Sequence, residues 1–265
     1  MKSDENSGVT VIIPTFRSEN VIIRALNSVL NQTSQPSEII VVDDASDDQT
    51  VSIVREFAKS CPKLQLLVNT KNEGPGRSRN TAWQLAKTEF IAFLDADDTW
   101  QPEKLQIQLE WFKSNQDAVI CGTRHQVVDE RVSMTVDDSV SFFEIKDLLW
   151  RNRFSTPSVM LKRELSPRFD NKLRFAEDYL LWMEIAATYG SVTRINQPLT
   201  ILHKPEFGSA GLSSKTWSMY RGEIKALSLL NQKKHINTLT LFRSVCWSTI
   251  KLIKRLPRTI VRKNQ

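Results

Sequence analysis

The sequence predicts an α/β protein: a doubly wound, mostly parallel sheet flanked by helices, with a basic helical tail behind it. Three observations carry this expectation. Across the first 115 residues, short apolar runs alternate with stretches of helical periodicity. The runs are continuous, as expected of strands buried on both faces. Two of them end in clustered carboxylates, and strand carboxyl ends are where open α/β sheets bind ligands.

Val9–Ile13 reads as the first strand, ended by Pro14. The apolar pairs Val21/Ile22, Ala25/Leu26 and Val29/Leu30 recur at helical spacing and predict a helix. Ile39–Val42 is the second strand, running into Asp43 and Asp44. The next helix is expected from about Ser46, because Ser46 and Gln49 have capping-box spacing. Leu64–Val68 gives a third strand, the loop Asn69–Arg77 follows, and a helix from about Arg77 to Ala86 leads into the strand Phe90–Leu94. Pro102 suits the first position of a helix over Glu103–Ser114.

The second half is less regular. Ala118–Gly122 reads as a strand, Arg124–Val136 as a hairpin, Phe142–Trp150 as a short helix and Pro157–Leu161 as a strand. A helix over Glu177–Tyr189, closed by Gly190, precedes extended chain over Val192–Leu202. The expected organisation is one domain over residues 1–214, regular over about 9–115 and less regular over about 116–214. Residues 215–265 form the tail.

Composition is that of a globular protein, with 40% hydrophobic and 25% charged residues. The scattered Cys61, Cys121 and Cys246 lack metal-ligand spacing and favour a reduced, cytoplasmic setting. Met1–Gly8 is polar and is not read as a signal peptide. The net charge of +6 conceals an asymmetry. The tail holds twelve Lys/Arg and one acid, a balance of +11, against −5 for the residues before it. Nucleic acid is therefore not an expected partner, since the main domain is acidic and no reading motif occurs.

The densest chemistry lies at Asp95-Ala96-Asp97-Asp98, three carboxylates within four positions after a buried strand. Such a cluster needs a cation. Asp95 and Asp97, on alternate positions, suit a divalent metal or a ribose, whereas Asp98 and Thr99 suit a turn. A metal bound by one or two carboxylates takes water and substrate phosphates as its other ligands, which points to a nucleotide-linked substrate. Asp43 and Asp44 reach the same sheet edge and suit a base or ribose hydroxyls. Asp47 and Asp48 read as helix-capping residues. In the loop Asn72–Asn80, Gly74 and Gly76 permit close approach, and Arg77 and Arg79 suit phosphate oxygens. Asp178 shares a helix face with Leu181, Trp182 and Ile185 and so turns inward, with Glu177 capping or orienting it. A helix N-terminus lowers a carboxylate's basicity, so partial burial has to offset that if Asp178 is a base. His125 and His203 read as structural residues, and the stretch Lys204–Ser213 as a lid or an ordinary surface loop.

Taken in order, Val11–Phe16, Val41–Ser46, Asn72–Asn80, Phe93–Asp98 and Glu177-Asp178 resemble the motifs of the family 2 glycosyltransferases of GT-A fold, including bacterial enzymes of surface-polysaccharide assembly. The resemblance spans about residues 9–213 and implies a nucleotide-sugar half at about 9–115 and an acceptor half at about 116–214. It implies that Pro14, Thr15, Phe16 and Asp44 line a nucleobase and ribose pocket, with Asp43 beside them. It places Asp95 near the ribose or diphosphate, Asp97 on Mn2+ or Mg2+, Arg79 near the donor, and Asp178 as the base that activates the acceptor. The implied reaction is an inverting transfer from a nucleotide-sugar to a saccharide acceptor, in O-antigen, capsule or lipopolysaccharide synthesis. Arg17 stands where many members carry Asn, and the Arg-x-x-His pattern of many members is absent around Leu202-His203-Lys204.

The tail mixes Leu239, Leu241, Phe242, Val245, Trp247, Ile250, Leu252 and Ile253 with basic residues. An amphipathic basic helix suits an anionic membrane surface, or else packs on the domain with a solvated basic face. A lipid-linked acceptor at the inner face of the cell membrane accounts for the first option, with the protein cytoplasmic or peripheral there. The competing functions are a sugar nucleotidyltransferase, whose glycine-rich first loop is missing at Pro14–Ser18, and a non-catalytic nucleotide- or metal-binding module.

Overall fold

The computed structural model describes residues 8–128, 137–203 and 216–262, the last eight of these as backbone only. Four apolar runs form the parallel half of one sheet: β1 (Val9–Thr15), β2 (Glu38–Asp43), β3 (Leu64–Val68) and β4 (Phe90–Phe93). They lie in the order β3-β2-β1-β4, joined through α1 (Ile22–Leu30), α2 (Thr50–Lys59) and α3 (Pro75–Leu85). The remaining strands are β5 (Thr99–Trp100), β6 (Ile120–Val127), β7 (Val140–Glu144), β8 (Met160–Lys162) and β9 (Ser191–Leu202). Here the sheet becomes mixed. β8 is antiparallel to β4 and β6, β9 is parallel to β6, and β5 and β7 pair antiparallel with β9.

Successive strand residues face opposite layers, and the core divides accordingly. Val11, Ile13, Ile39 and Val41 pack with α1, with Val54 of α2, and with Leu105 and Phe112 of α4 (Lys104–Ser114). Ile12, Ile40, Val42 and Phe93 pack with Trp83 of α3 and with α6 (Glu177–Tyr189). α6 is apolar on nearly every side, because the sheet, α5 (Ile145–Trp150) and α7 (Thr216–Gln232) enclose it. Gly190, at φ 95°, ends it as expected.

Several expectations need correction. Pro14 does not end β1 but pairs with Val42 inside it. Its missing N–H would point towards β4, beyond the last β1–β4 pair at Ile12–Phe93, so no ladder bond is lost. Ser46 is no helix cap: its hydroxyl donates to Asp43, and α2 begins at Thr50, whose N–H is taken by Asp48. Phe142 and Phe143 belong to β7, and only Ile145–Trp150 is helical. Arg124–Val127 forms no local hairpin but extends β6 along β9; residues 129–136 of that expectation lie outside the described residues. The stretch 204–213 also lies outside them.

The tail forms α7 and α8 (Thr238–Arg262). Ala226, Leu227 and Leu230 of α7 join the same core as α6. α8 turns Ser244, Ser248 and Leu252 inward, and Glu223 of α7 accepts hydrogen bonds from Ser248 and Lys251. No helix among the described residues is long and apolar enough to cross a membrane.

Candidate active site

The carboxyl ends of β1, β2 and β4 open on one edge of the sheet, as the parallel order requires. At the end of β1, Pro14 and Thr15 are buried, and the Thr15 hydroxyl is enclosed with no hydrogen-bond partner. The next ring, Phe16, is 42% exposed and lies under the Arg17 guanidinium at 5.1 Å. Arg17 adopts φ 50° and pairs with Asp47 at 2.7 Å, while its backbone N–H donates to Ser46. Arg17 thus ties the loop after β1 to the loop after β2. The result is an aromatic face held outward above an unsatisfied hydroxyl.

At the end of β2 the two acids face inward. Asp43 is fully enclosed and accepts both the N–H and the hydroxyl of Ser46, at 2.8 and 2.6 Å. Asp44 accepts from Asn69 and from the backbone N–H groups of Glu73 and Gly74, at 2.9, 2.9 and 2.7 Å. The enclosed oxygens of both side chains thus have hydrogen-bond donors. Both therefore shape the loops around the cleft, and Asp44 anchors the start of α3.

The floor of the site is an ion cluster. Arg79 of α3 is 4% exposed and donates to Asp95 at 2.6 Å and to Glu177 at 3.4 Å, with its guanidinium 5.3 Å from the Phe169 ring centre. Its Nε has no partner. α3 meets the start of α6 closely: a Cβ on Gly76 would stand 3.0 Å from Cγ of Glu177. Arg79 thus lies beneath the site, joining the acids of β4 and α6.

Asp178, the second residue of α6, accepts a hydrogen bond from Thr156 at 3.3 Å. Burial pushes its carboxyl above the ordinary range, and the charge of Asp95 adds to this, against the Tyr179 N–H, Arg79 and Thr156. Burial and then Asp178 push Glu177 up to about 7, against Arg79. Burial therefore does offset the helix N-terminus, the condition for a base at this position.

Asp97, partly exposed, accepts an Arg24 hydrogen bond at its carbonyl at 2.8 Å. Asp98 closes a turn onto Asp95 and accepts the His203 N–H, as its reading as a turn residue anticipated. His203 bonds Thr99 through its ring at 2.9 Å. Burial, then Arg24, holds its imidazole below the usual range, against Asp97. A partly exposed carboxylate beside a neutral imidazole suits a divalent cation. No group of three or more acids, His or Cys among the described residues forms a ready cage. The donor set fits a hard cation that takes water and substrate oxygens as its remaining ligands.

Sequence reasoning did not find Thr156, Arg24 or the placement of His203. Thr156 stands in a short 3-10 turn, Thr156–Ser158, which has no periodicity to read. His203 is brought to Asp97 only by the antiparallel pairing of β5 with β9.

The chain matches the family model described as Glycosyl transferase family 2 over residues 10–170. It is 32% identical over 177 residues to the UDP-Glc:alpha-D-GlcNAc-diphosphoundecaprenol beta-1,3-glucosyltransferase WfgD of Escherichia coli, covering 67% of this chain and 69% of that one. It spans only 30% and 26% of the length of two longer Rickettsia relatives. Its fold is similar to S. aureus TarS 1-349 in complex with UDP-GlcNAc, with TM-score 0.69, 23% identity, and coverage of 89% of this chain and 70% of that one. It is also similar to the mannosyltransferase PcManGT of Pyrobaculum calidifontis in complex with GDP-Man and Mn2+, with TM-score 0.66, 20% identity, and coverage of 94% and 75%. At these identities the likeness is one of fold, and the fold is the expected GT-A arrangement.

Removing the buried guanidinium leaves two carboxylates facing each other. Arg79→Met is expected to lower unfolding stability by roughly 3–5 kcal/mol, measured by chemical denaturation. Arg79→Lys should recover only part, since an ammonium lacks the fork that meets both acids. A loss under about 1 kcal/mol for Arg79→Met would remove the cluster from its structural role.

Proposed function

The chain belongs to glycosyl transferase family 2, and from that premise we propose an inverting, divalent-metal-dependent transfer of a sugar from a nucleotide-diphosphate sugar to an acceptor hydroxyl, in bacterial surface-polysaccharide synthesis. Membership of that family sets aside the nucleotidyltransferase and purely binding alternatives. The observation that carries the reading is the convergence of Phe16, Asp95, Asp97 and a carboxyl of raised pKa, Asp178, on one sheet edge.

In this reading Phe16 stacks on the nucleobase, and the Thr15 hydroxyl and the loops held by Asp43 and Asp44 complete its pocket. Asp95, paired with Arg79, faces the ribose or diphosphate. Arg79 acts on the donor through Asp95. Mn2+ or Mg2+ held by Asp97 supplies positive charge that offsets the leaving diphosphate. Asp178 takes the proton of the acceptor hydroxyl. The hydroxyl oxygen bonds to the anomeric carbon on the face opposite the nucleotide, and the bond to the diphosphate breaks, its electron pair leaving with the nucleotide. Thr156 orients Asp178 and favours its charged form.

The acceptor we propose is lipid-linked, supported by the diphosphoundecaprenol named in WfgD. The protein then works in the cytoplasm against the inner membrane face, with α8 as its contact. Leu239, Phe242, Ile250 and Ile253 are 58, 66, 43 and 60% exposed and share one side of α8, opposite Ser244, Ser248 and Leu252. Exposed Arg243 and Lys254 flank that stripe, which suits anionic lipid.

Asp178→Asn is expected to abolish transfer while nucleotide-sugar still binds, and Asp97→Ala to remove metal-dependent donor binding, measured by transfer assay and calorimetry. Because Asp178 must be ionised to act and its pKa is raised, kcat should climb with pH along a limb above the ordinary carboxylate range near pH 4. Thr156→Val removes a bond to the charged form and should move that limb higher. Wild-type turnover by Asp178→Asn would sink the base assignment.

Phe242→Ser with Ile253→Ser should cut co-sedimentation with phosphatidylglycerol vesicles roughly tenfold or more, given the apolar area withdrawn from lipid. Substitution is the sounder test than deletion, since α7 supplies core residues. Unchanged sedimentation of the doubly substituted protein would remove the membrane contact.

A further inference from the structure

Four arginines gather outside the cluster of acids. Arg124 is on β6, Arg194 on β9, and Arg151 and Arg153 on the segment between α5 and the Thr156–Ser158 turn. Arg153 and Arg194 both lie over the Phe143 ring, at 5.1 and 5.2 Å from its centre. Arg194 is held below the usual range first by burial, then by the charges of Arg124, Arg153 and Arg151, with Asp137 opposing. The Nε of Arg153 and the hydroxyl of Ser155 are enclosed without a partner. Among the described residues, none of the four arginines forms an ion pair with a carboxylate. Like charges held together in this way cost stability, and they match an anion that several guanidiniums can fork at once.

The position of the cluster narrows the anion. The segment begins at Trp150, whose ring meets Trp247 of α8 at 5.0 Å and whose carbonyl accepts its indole N–H at 2.9 Å. It ends at Thr156, on Asp178. Arg153 also bears on Tyr179, the neighbour of Asp178. Arg151 and Arg153 therefore lie on the segment that runs from α8 to the residue read as the acceptor's base, and Phe143 and Arg194 join them to β6 and β9.

We infer that Arg124, Arg151, Arg153 and Arg194 bind the diphosphate of a lipid-linked acceptor and deliver its sugar hydroxyl to Asp178. The inference rests on the glycosyl-transfer reading. Phe143 keeps two guanidiniums aligned, so little side-chain freedom is lost on binding. The exposed pair, Arg124 and Arg151, supplies the charge that a diphosphate meets first.

The probe is farnesyl diphosphate, titrated calorimetrically into the full-length protein with UDP saturating the donor site. Binding is expected to weaken with salt, and Arg151→Gln with Arg194→Gln should weaken it roughly tenfold or more, since two charge-assisted contacts to the diphosphate are lost. Arg151→Gln alone, an exposed change that leaves the core intact, should weaken it severalfold. Farnesol should not bind measurably. Wild-type affinity in both variants, or farnesol binding as well as the diphosphate, would overturn the inference. So would loss of phosphatidylglycerol vesicle binding with farnesyl diphosphate affinity retained, which assigns the arginines to membrane headgroups. UDP affinity should stay at the wild-type value in both variants, and a parallel fall would overturn the acceptor-side placement. The transfer reading fails on another ligand, by absence of nucleotide binding to the unaltered protein, so the two failures are distinct.

Discussion

The buried guanidinium of Arg79 is the constraint on which the site depends. It is enclosed almost completely, yet it must be charged, so its position is tolerable only with carboxylates against it. Asp95 and Glu177 answer from different elements, one from the end of β4 and one from the start of α6. The same contact therefore fixes the separation between the strand that carries Asp97 and the helix that carries Asp178. Neither acid can move towards solvent without stranding Arg79. The close approach at Gly76 is part of this arrangement, because a larger residue there would push Glu177 away from its cation.

One residue type does four different things around this cation, and environment decides which. Asp43 and Asp44 are surrounded by N–H and hydroxyl donors and hold loops. Asp95 is neutralised by Arg79, which leaves it able to face a ligand without a further cation. Asp97 is the partly exposed member beside His203. Asp178 is half-buried with the Tyr179 N–H and the Thr156 hydroxyl as its donors, and burial outweighs them, so its proton is held more tightly. A shared pool of negative charge would otherwise repel a diphosphate. Distributing the acids among donors, a guanidinium and a buried niche removes most of that repulsion before any donor arrives.

The legibility of the chain follows the same physics. β1 to β4 were readable because strands covered on both faces are continuous apolar runs, and each crossover leaves room for an amphipathic helix. α6 was readable to its ends, because Glu177 and Gly190 mark them chemically. β5 and β7 are two and five residues long and owe their pairing to distant partners, so no local period announces them. Ser46 misled because a capping pattern and a strand-end loop use the same residue types, and Asp43 was the stronger partner. Thr156 and the arginines around Phe143 carry no motif. Their significance exists only once β6, β9 and the segment after α5 are side by side.

The tail is coupled to this arrangement through α7. Gly222 abuts Phe175 so closely that a Cβ there would come within 2.6 Å of its carbonyl oxygen. Phe175 precedes Ala176, whose φ of 59° turns the chain into α6. The direction in which Glu177 and Asp178 project is thus set from two sides, by Arg79 of α3 and by the α7 backbone from the tail. α7 in turn is bonded to α8 through Glu223, Ser248 and Lys251. Whatever surface holds the exposed face of α8 therefore bears, through one layer of helix, on Asp178, the residue proposed to meet the acceptor. A transferase whose acceptor is carried in a membrane needs its acceptor-activating group at a fixed height above that membrane. In the reading proposed above, the glycine contact between α7 and the start of α6 would set that height, since neither backbone can yield without unpacking the core that both share.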